Sequence, residues 1–211
     1  FIERRQPSLE AQLSNLADEI AYNNHDVDDG LRAGLLDIAQ LRDVPVFGRQ
    51  LHAVEELHPG LAGRRLVHEV VRRMINGMVV DLIDNSRKLL EEAGPADADA
   101  VRAHGEPLIR MSEAAYAEHL ELKAFLREHL YRHYRVRRMT SKARTVVTDL
   151  FNAFMEDLLL MPDEHRAAAQ RLESRHGPAG RARAVADYVA GMTDRYAISE
   201  HERLFLPFHR S

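Results

Sequence analysis

A chain of 211 residues is long enough for one medium domain or two small ones with a buried core. Hydrophobic residues make up 45% and charged residues 29%, and no apolar run approaches the roughly 18 residues of a membrane span, so no transmembrane helix is expected. The absence of cysteine excludes disulfides, thiolate zinc sites, iron-sulfur clusters and cysteine nucleophiles, and makes a reducing cytoplasm the expected location. No Gly-rich phosphate loop of the P-loop or dinucleotide type occurs. The chain opens Phe1, Ile2, Glu3, without an initiator Met or a signal-like segment, and is therefore expected to be cut from something longer.

In chain order the elements read as helices. Ser8 is a candidate N-cap after Pro7, and Leu9, Leu13, Leu16, Ala17 and Ile20 recur with helical spacing. The cluster Asp28, Asp29, Gly30 reads as a break, followed by a second helix with Leu31, Leu35, Leu36 and Ile38 on its apolar side. Residues 44–48 read as a connector around Pro45, and a short helix should end at Pro59 and Gly60. From Arg64 to Glu92 a long helix carries Leu66, Val70, Met74, Met78, Leu82, Leu89 and Leu90 on one side, with Gly77 as a candidate bend and Gly94 as its stop. Ala96 to Pro107 reads as a polar connector, a candidate for a mobile or variable loop, and further helices are expected over 112–131, 141–160, 163–175 and 181–197. No period-2 strand is found, so the fold class is all-α. The division is residues 1–93, a connector at 94–107, and a helical region at 108–211 packing on the first part.

Charge is uneven. The net charge is -4, but Lys123 to Arg144 carries a local charge of +7, leaving -11 for the rest, and 26 of the 29 basic residues are arginine. Guanidinium forks suit phosphate and carboxylate, so Arg132, Arg135, Arg137, Arg138 and Lys142 are candidates for polyphosphate or a nucleic-acid backbone, with Tyr131 and Tyr134 available for stacking. A solvated basic face paired with the acidic remainder is the alternative. His129 and His133 have the i, i+4 spacing of a metal pair, which the surrounding arginines disfavour.

The first helix concentrates the remaining chemistry. Asp18, Tyr22, His25 and Asp26 stand at i, i+4, i+7 and i+8, within about 100° of one another on one stripe, opposite Leu13, Leu16, Ala17 and Ile20. Such a stripe faces either solvent or a cleft. Carboxylates beside an imidazole suit Mg²⁺ or Mn²⁺, although one carboxylate does not hold such an ion alone.

Ser8 to Leu36, SLEAQLSNLADEIAYNNHDVDDGLRAGLL, resembles the signature of the HD-superfamily deoxynucleoside triphosphate triphosphohydrolases, the deoxyguanosine triphosphate triphosphohydrolase-like group. Phe125 to Met139, FLREHLYRHYRVRRM, and Ala186 to Leu204, ADYVAGMTDRYAISEHERL, resemble two later signatures of the same group. The resemblance implies the C-terminal part of an HD-domain-like helical bundle and a metal-dependent conversion of a dNTP, dGTP foremost, to deoxynucleoside and tripolyphosphate. It implies Asp18 as the last metal ligand, Tyr22 against the deoxyribose, Asp26 near the sugar 3'-hydroxyl, and Mg²⁺ or Mn²⁺ as cofactor. It also suggests a homo-oligomer, with single-stranded DNA or a regulatory nucleotide as further partners of the basic segment. Tyr188 and Asp194, with Met192 and Tyr196, are candidates for the nucleobase side of a pocket; a packed helix face is the alternative for Tyr188 and Met192, and a structural salt bridge for Asp194 and Arg195. The sequence departs from the family pattern in having no histidine before Asp18, so three of the four metal ligands and the general acid are missing, and the chain alone is expected to be inactive. The alternative is a nucleic-acid-binding or oligomerisation module without catalysis.

Overall fold

The computed structural model describes residues 5–207, so Phe1, Ile2 and Glu3 lie outside the described residues. Among those described, all regular structure is helical: α1 (Leu9–Arg32), α2 (Ile38–Leu41), α3 (Pro45–Leu57), α4 (Gly63–Ala93), α5 (Ala98–Ala103), α6 (Glu113–Leu126), a π-helical turn (Arg127–Tyr131), α7 (Tyr134–Glu156), a 3-10 turn (Leu158–Leu160), α8 (Asp163–His176), α9 (Pro178–Ala190) and α10 (Asp194–Phe205). The all-α reading is correct. No helix among the described residues is long and apolar enough to cross a membrane.

Packing divides the chain into two units, residues 1–133 and 134–211. The sequence placed the division at 94–107, but Leu122, Leu126 and Leu130 belong to the same core as α1, α3 and α4. In this first unit Val27, Phe47, Leu51, Val54, Val70, Met74 and Leu82 form the centre. Burying one such side chain stabilises a fold by about 1.5–3 kcal/mol. The second unit has its own core, in which Leu150 and Phe154 of α7 pack with Ala169 of α8 and Val185 and Tyr188 of α9.

Several boundaries differ from the sequence reading, each for a local reason. The α1 helix runs through Asp28, Asp29 and Gly30 instead of breaking there. Gly30 is buried, and a Cβ on it would lie 2.6 Å from Leu36 Cδ1 and 3.3 Å from Leu130 Cδ1, so this glycine serves close packing and not a turn. The turn comes at Gly34, with φ +64, and the helix expected from Leu31 onward shrinks to the single turn α2, opened by a capping box between Asp37 and Gln40. Pro45 does not build a connector; it opens α3 at a first-turn position, where its missing N–H leaves nothing unpaired. The α4 helix passes Gly77 as one element and ends at Gly94, whose left-handed φ of +50 suits a C-cap glycine.

The segment expected to be a mobile connector contains α5, capped by Asp97, with Val101 in its interior. The stretch that follows is fixed by side chains that supply backbone partners. Gln12 Oε1 accepts from Leu108 N and Ile109 N at 2.9 and 3.0 Å, Ser86 Oγ accepts from Arg110 N at 3.1 Å, and Asp81 Oδ2 accepts from Ser112 N at 2.9 Å. Buried extended backbone requires such partners. In the second unit α7 starts at Tyr134, not near 141, and the helix expected over 181–197 is two helices separated at Gly191–Thr193, where Thr193 caps α10.

Candidate functional site

The buried side of α1 is formed by Gln12, Ile20, Asn23, Asn24, Val27 and Gly30. Leu13 and Ala17, expected to pack, are exposed, and Asn23 and Asn24 turn inward instead of joining the polar stripe. Asn24 Nδ2 donates to Ile20 O at 2.7 Å and lies 3.6 Å from Met78 Sδ, so it bonds back within its own helix. What remains outward is Asp18, Tyr22 at 61% exposure, His25 and the half-buried Asp26.

Opposite this stripe runs a second one with the same spacing. Lys123 of α6 and Arg127 and Tyr131 of the π-helical turn stand at i, i+4 and i+8, as Asp18, Tyr22 and Asp26 do on α1. In a regular α-helix each i, i+4 step advances around the axis by about 40°, so a third residue drifts off the face. The wider π turn counters that drift and keeps Tyr131 in line with Lys123 and Arg127; π turns often mark functional sites. Leu130 anchors the turn in the core beside Gly30.

The two stripes enclose a cleft of ≈ 640 Å³, whose lining includes Asp18, Tyr22, Lys123, Arg127 and Tyr131. At one end Lys123 donates to Glu19, and His119 Nε2 lies 3.3 Å from the same carboxylate. Partial burial acts to raise the Glu19 carboxyl, but the hydrogen bonds from Lys123 and His119 outweigh it and hold it below its ordinary value. At the other end the Tyr131 hydroxyl donates to Asp26. Burial, followed by that bond, pushes the Tyr131 phenol up from its ordinary value. Among the described residues neither Asp18 nor Arg127 has an ion-pair partner, so the cleft presents an open carboxylate and an open guanidinium.

Sequence reading found Asp18, Tyr22 and Asp26 but missed Glu19, Lys123 and Arg127 as their neighbours. The matching i, i+4, i+8 spacing in residues 123–131 was the available signal, obscured by its overlap with the longer basic run. Arg132 pairs with Glu128 at 2.6 Å instead of joining the cleft. The His129 and His133 spacing does not survive as a metal pair: the π turn and the break after it interrupt the helix, and His129 stacks on Phe125 with ring centroids 4.4 Å apart. Nowhere among the described residues do three His, Asp or Glu side chains come together to hold a metal ion. Asp18 supplies one ligand, and Mg²⁺ or Mn²⁺ requires several, so these residues do not form a metal centre.

Arg135, Arg138 and Lys142 lie on the first turns of α7, where residues 134–145 are exposed on nearly every side. Tyr188 is buried between Phe154 and His165, with centroids at 5.3 and 4.3 Å, and its hydroxyl is 3.5 Å from that of Tyr196. It lines a second-unit cleft of ≈ 640 Å³ together with Met192 and Tyr196. Asp194 is exposed in the first turn of α10, outside that lining.

Comparison with known proteins finds similarity to phosphohydrolases. Residues 109–203 match the model of a phosphohydrolase-associated domain. The chain is 53% identical over 205 residues to the deoxyguanosinetriphosphate triphosphohydrolase-like protein of Thiobacillus denitrificans, covering 97% of this chain and 52% of that protein. It is 53% identical to the protein of the same name from Bordetella pertussis (97% and 51% covered) and 49% identical to that of Nitrosomonas europaea (97% and 52%). Along nearly its whole length the chain is thus similar to proteins of that name, and its later part to a phosphohydrolase-associated domain. It spans about half the length of these relatives. The matched domain begins at Ile109 and so includes α6 and the π turn, whereas α1, with Asp18, Tyr22 and Asp26, lies before it.

Proposed function

We propose that this chain is part of a metal-dependent dNTP triphosphohydrolase acting on dGTP, and that the cleft between α1 and the α6/π-turn stripe receives the nucleotide. The observation that carries this reading is the meeting of Asp18 and Tyr22 with Lys123, Arg127 and Tyr131 in one cleft. The relatives' shared name supports the choice of substrate. Arg127, with its open guanidinium, and Lys123 are suited to the polyphosphate, because charge-assisted and bidentate contacts are the strong ones available to phosphate oxygens. The Tyr22 ring packs against the deoxyribose and fills the space a 2'-hydroxyl needs, while Asp26 accepts from the 3'-hydroxyl. Asp18 contributes one metal-ligating carboxylate. The reaction class is attack of water at the α-phosphorus, giving deoxynucleoside and tripolyphosphate; the residues described here bind and orient.

No three His, Asp or Glu side chains come together among the described residues to hold a metal ion, and on this proposal the chain by itself releases no tripolyphosphate. Its binding is the testable part. Titration with dGTP, GTP and tripolyphosphate should show dGTP bound in preference to GTP and displaced by tripolyphosphate. Equal binding of the two nucleotides, or no competition by tripolyphosphate, contradicts the proposal.

A second reading attaches to the second unit. The first three turns of α7 carry Arg135, Arg137, Arg138, Lys142 and Arg144 with no acid among them, and are exposed on nearly every side. That is the surface of a helix that tracks a phosphate backbone, single-stranded DNA or a regulatory nucleotide, or that seats a second copy of the chain.

A further inference from the structure

His119 is fully buried, at 0% exposure, on α6, one turn before Lys123, and the reading above gives it no role. Its Nε2 lies 3.3 Å from Glu19 Oε1 and 3.4 Å from Asn23 Nδ2, its ring stacks on Tyr116 at 6.4 Å, and its Nδ1 has no hydrogen-bond partner among the described residues. That missing partner bears on the tautomer. A proton on Nδ1 would be a buried donor without an acceptor, which costs more than a bare lone pair. A proton on Nε2 instead is donated to Glu19, and the longer contact with Asn23 Nδ2 is then between two donors and adds no hydrogen bond.

Glu19 thus receives two donors on one oxygen, His119 from the interior and Lys123 from the cleft wall. A carboxylate on a helix surface normally samples several rotamers, and a buried, ring-stacked imidazole behind it selects one. The geometry points to His119 as a positioning residue that, through Glu19, holds the Lys123 ammonium in the wall of the cleft, preset for the polyphosphate of an incoming nucleotide. The purpose rests on the function proposed above; the placement of Lys123 does not.

The test uses the fact that the chain has three lysines, Lys88, Lys123 and Lys142. Brief acetylation with an N-hydroxysuccinimide ester, followed by peptide mass spectrometry, gives the rate at Lys123 relative to the two others. Losing the ion pair should raise that relative rate about threefold, the scale of an exposed pair. His119→Leu and Glu19→Gln should both do so, and His119→Gln, whose amide reaches the Nε2 position, should restore the wild-type ratio. An unchanged ratio in His119→Leu, or in Glu19→Gln, overturns the inference. Should His119→Leu fail to fold by circular dichroism, His119→Asn replaces it: its amide stops short of Glu19, so Asn should raise the ratio and Gln should not, and equal ratios overturn the role. Tripolyphosphate titration of the same proteins separates the two claims. If the labelling pattern holds and the wild type binds no tripolyphosphate, the positioning role stands and the polyphosphate reading fails.

Discussion

Tyr131 donates its hydroxyl to Asp26 across the open side of α1, joining two positions 105 residues apart in sequence. The bond ties the π turn to the helix that bears Asp18 and Tyr22, and it keeps the phenol in its neutral form. Because folding raises the Tyr131 value above the ordinary 10.0, the resulting stability is fully present below about pH 10 and is lost as pH rises toward the folded value. Melting temperature measured from pH 8 to 11 should fall more steeply in the wild type than in Tyr131→Phe. At neutral pH the same variant, with the ring kept and the hydroxyl removed, should be less stable by about 1 kcal/mol in urea unfolding. Parallel pH profiles would mean that the bond does not persist in solution.

Gly30 sets how closely the π turn approaches α1. Gly30→Ala brings a methyl group to 2.6 Å from Leu36 Cδ1 and 3.3 Å from Leu130 Cδ1. Overpacking of that kind costs about 1–3 kcal/mol, measurable by urea unfolding, and the Leu36→Ala partner variant should recover part of it by making room.

In the second unit, α10 is held to α7 by His201 Nε2, 2.8 Å from Asp149 Oδ2. His201→Ala should cost about 1 kcal/mol and speed amide exchange across residues 194–205, leaving the first unit's amides unchanged. Exchange that rises uniformly along the chain would show that the pair does not act locally.

For the basic turns of α7, the expected signature is salt dependence. Binding of single-stranded DNA should weaken steeply between low and physiological salt, and the double variant Arg138→Ala, Lys142→Ala should lower the slope by about 1.4, near 0.7 per lost phosphate contact. A slope unchanged by the double variant assigns the binding elsewhere.

The helical class was legible in the sequence because apolar residues recur with helical spacing along α1 and α4 and because several caps are conventional: Ser8, Ser112 and Gly94 each occupy the place their chemistry favours. The errors came where one residue type serves two purposes. Gly30 looked like a turn and is a close contact; Pro45 looked like a connector and is a helix opener. Ala96–Pro107 looked mobile because its partner Gln6, which donates to Arg102 O and Gly105 O, lies about a hundred residues earlier. The site was legible on the α1 side, where the stripe lies within one helix. Its other wall was not, because a π turn has no simple sequence signature and because pairing Glu19 with Lys123, or Asp26 with Tyr131, is a tertiary event. The inward turn of Asn23 and Asn24 was hidden for the same reason, since their buried environment is made by α4 and α6.

The claim that this cleft receives a deoxynucleoside triphosphate is tested most directly by calorimetric titration of dGTP into the wild-type chain and into Arg127→Ala and Tyr22→Ala. The wild type should bind, Arg127→Ala should lose about tenfold through its phosphate contact, and Tyr22→Ala should lose the preference for dGTP over GTP. Binding of dGTP that is undiminished in Arg127→Ala, with the preference intact in Tyr22→Ala, would place the nucleotide outside the cleft and contradict the account.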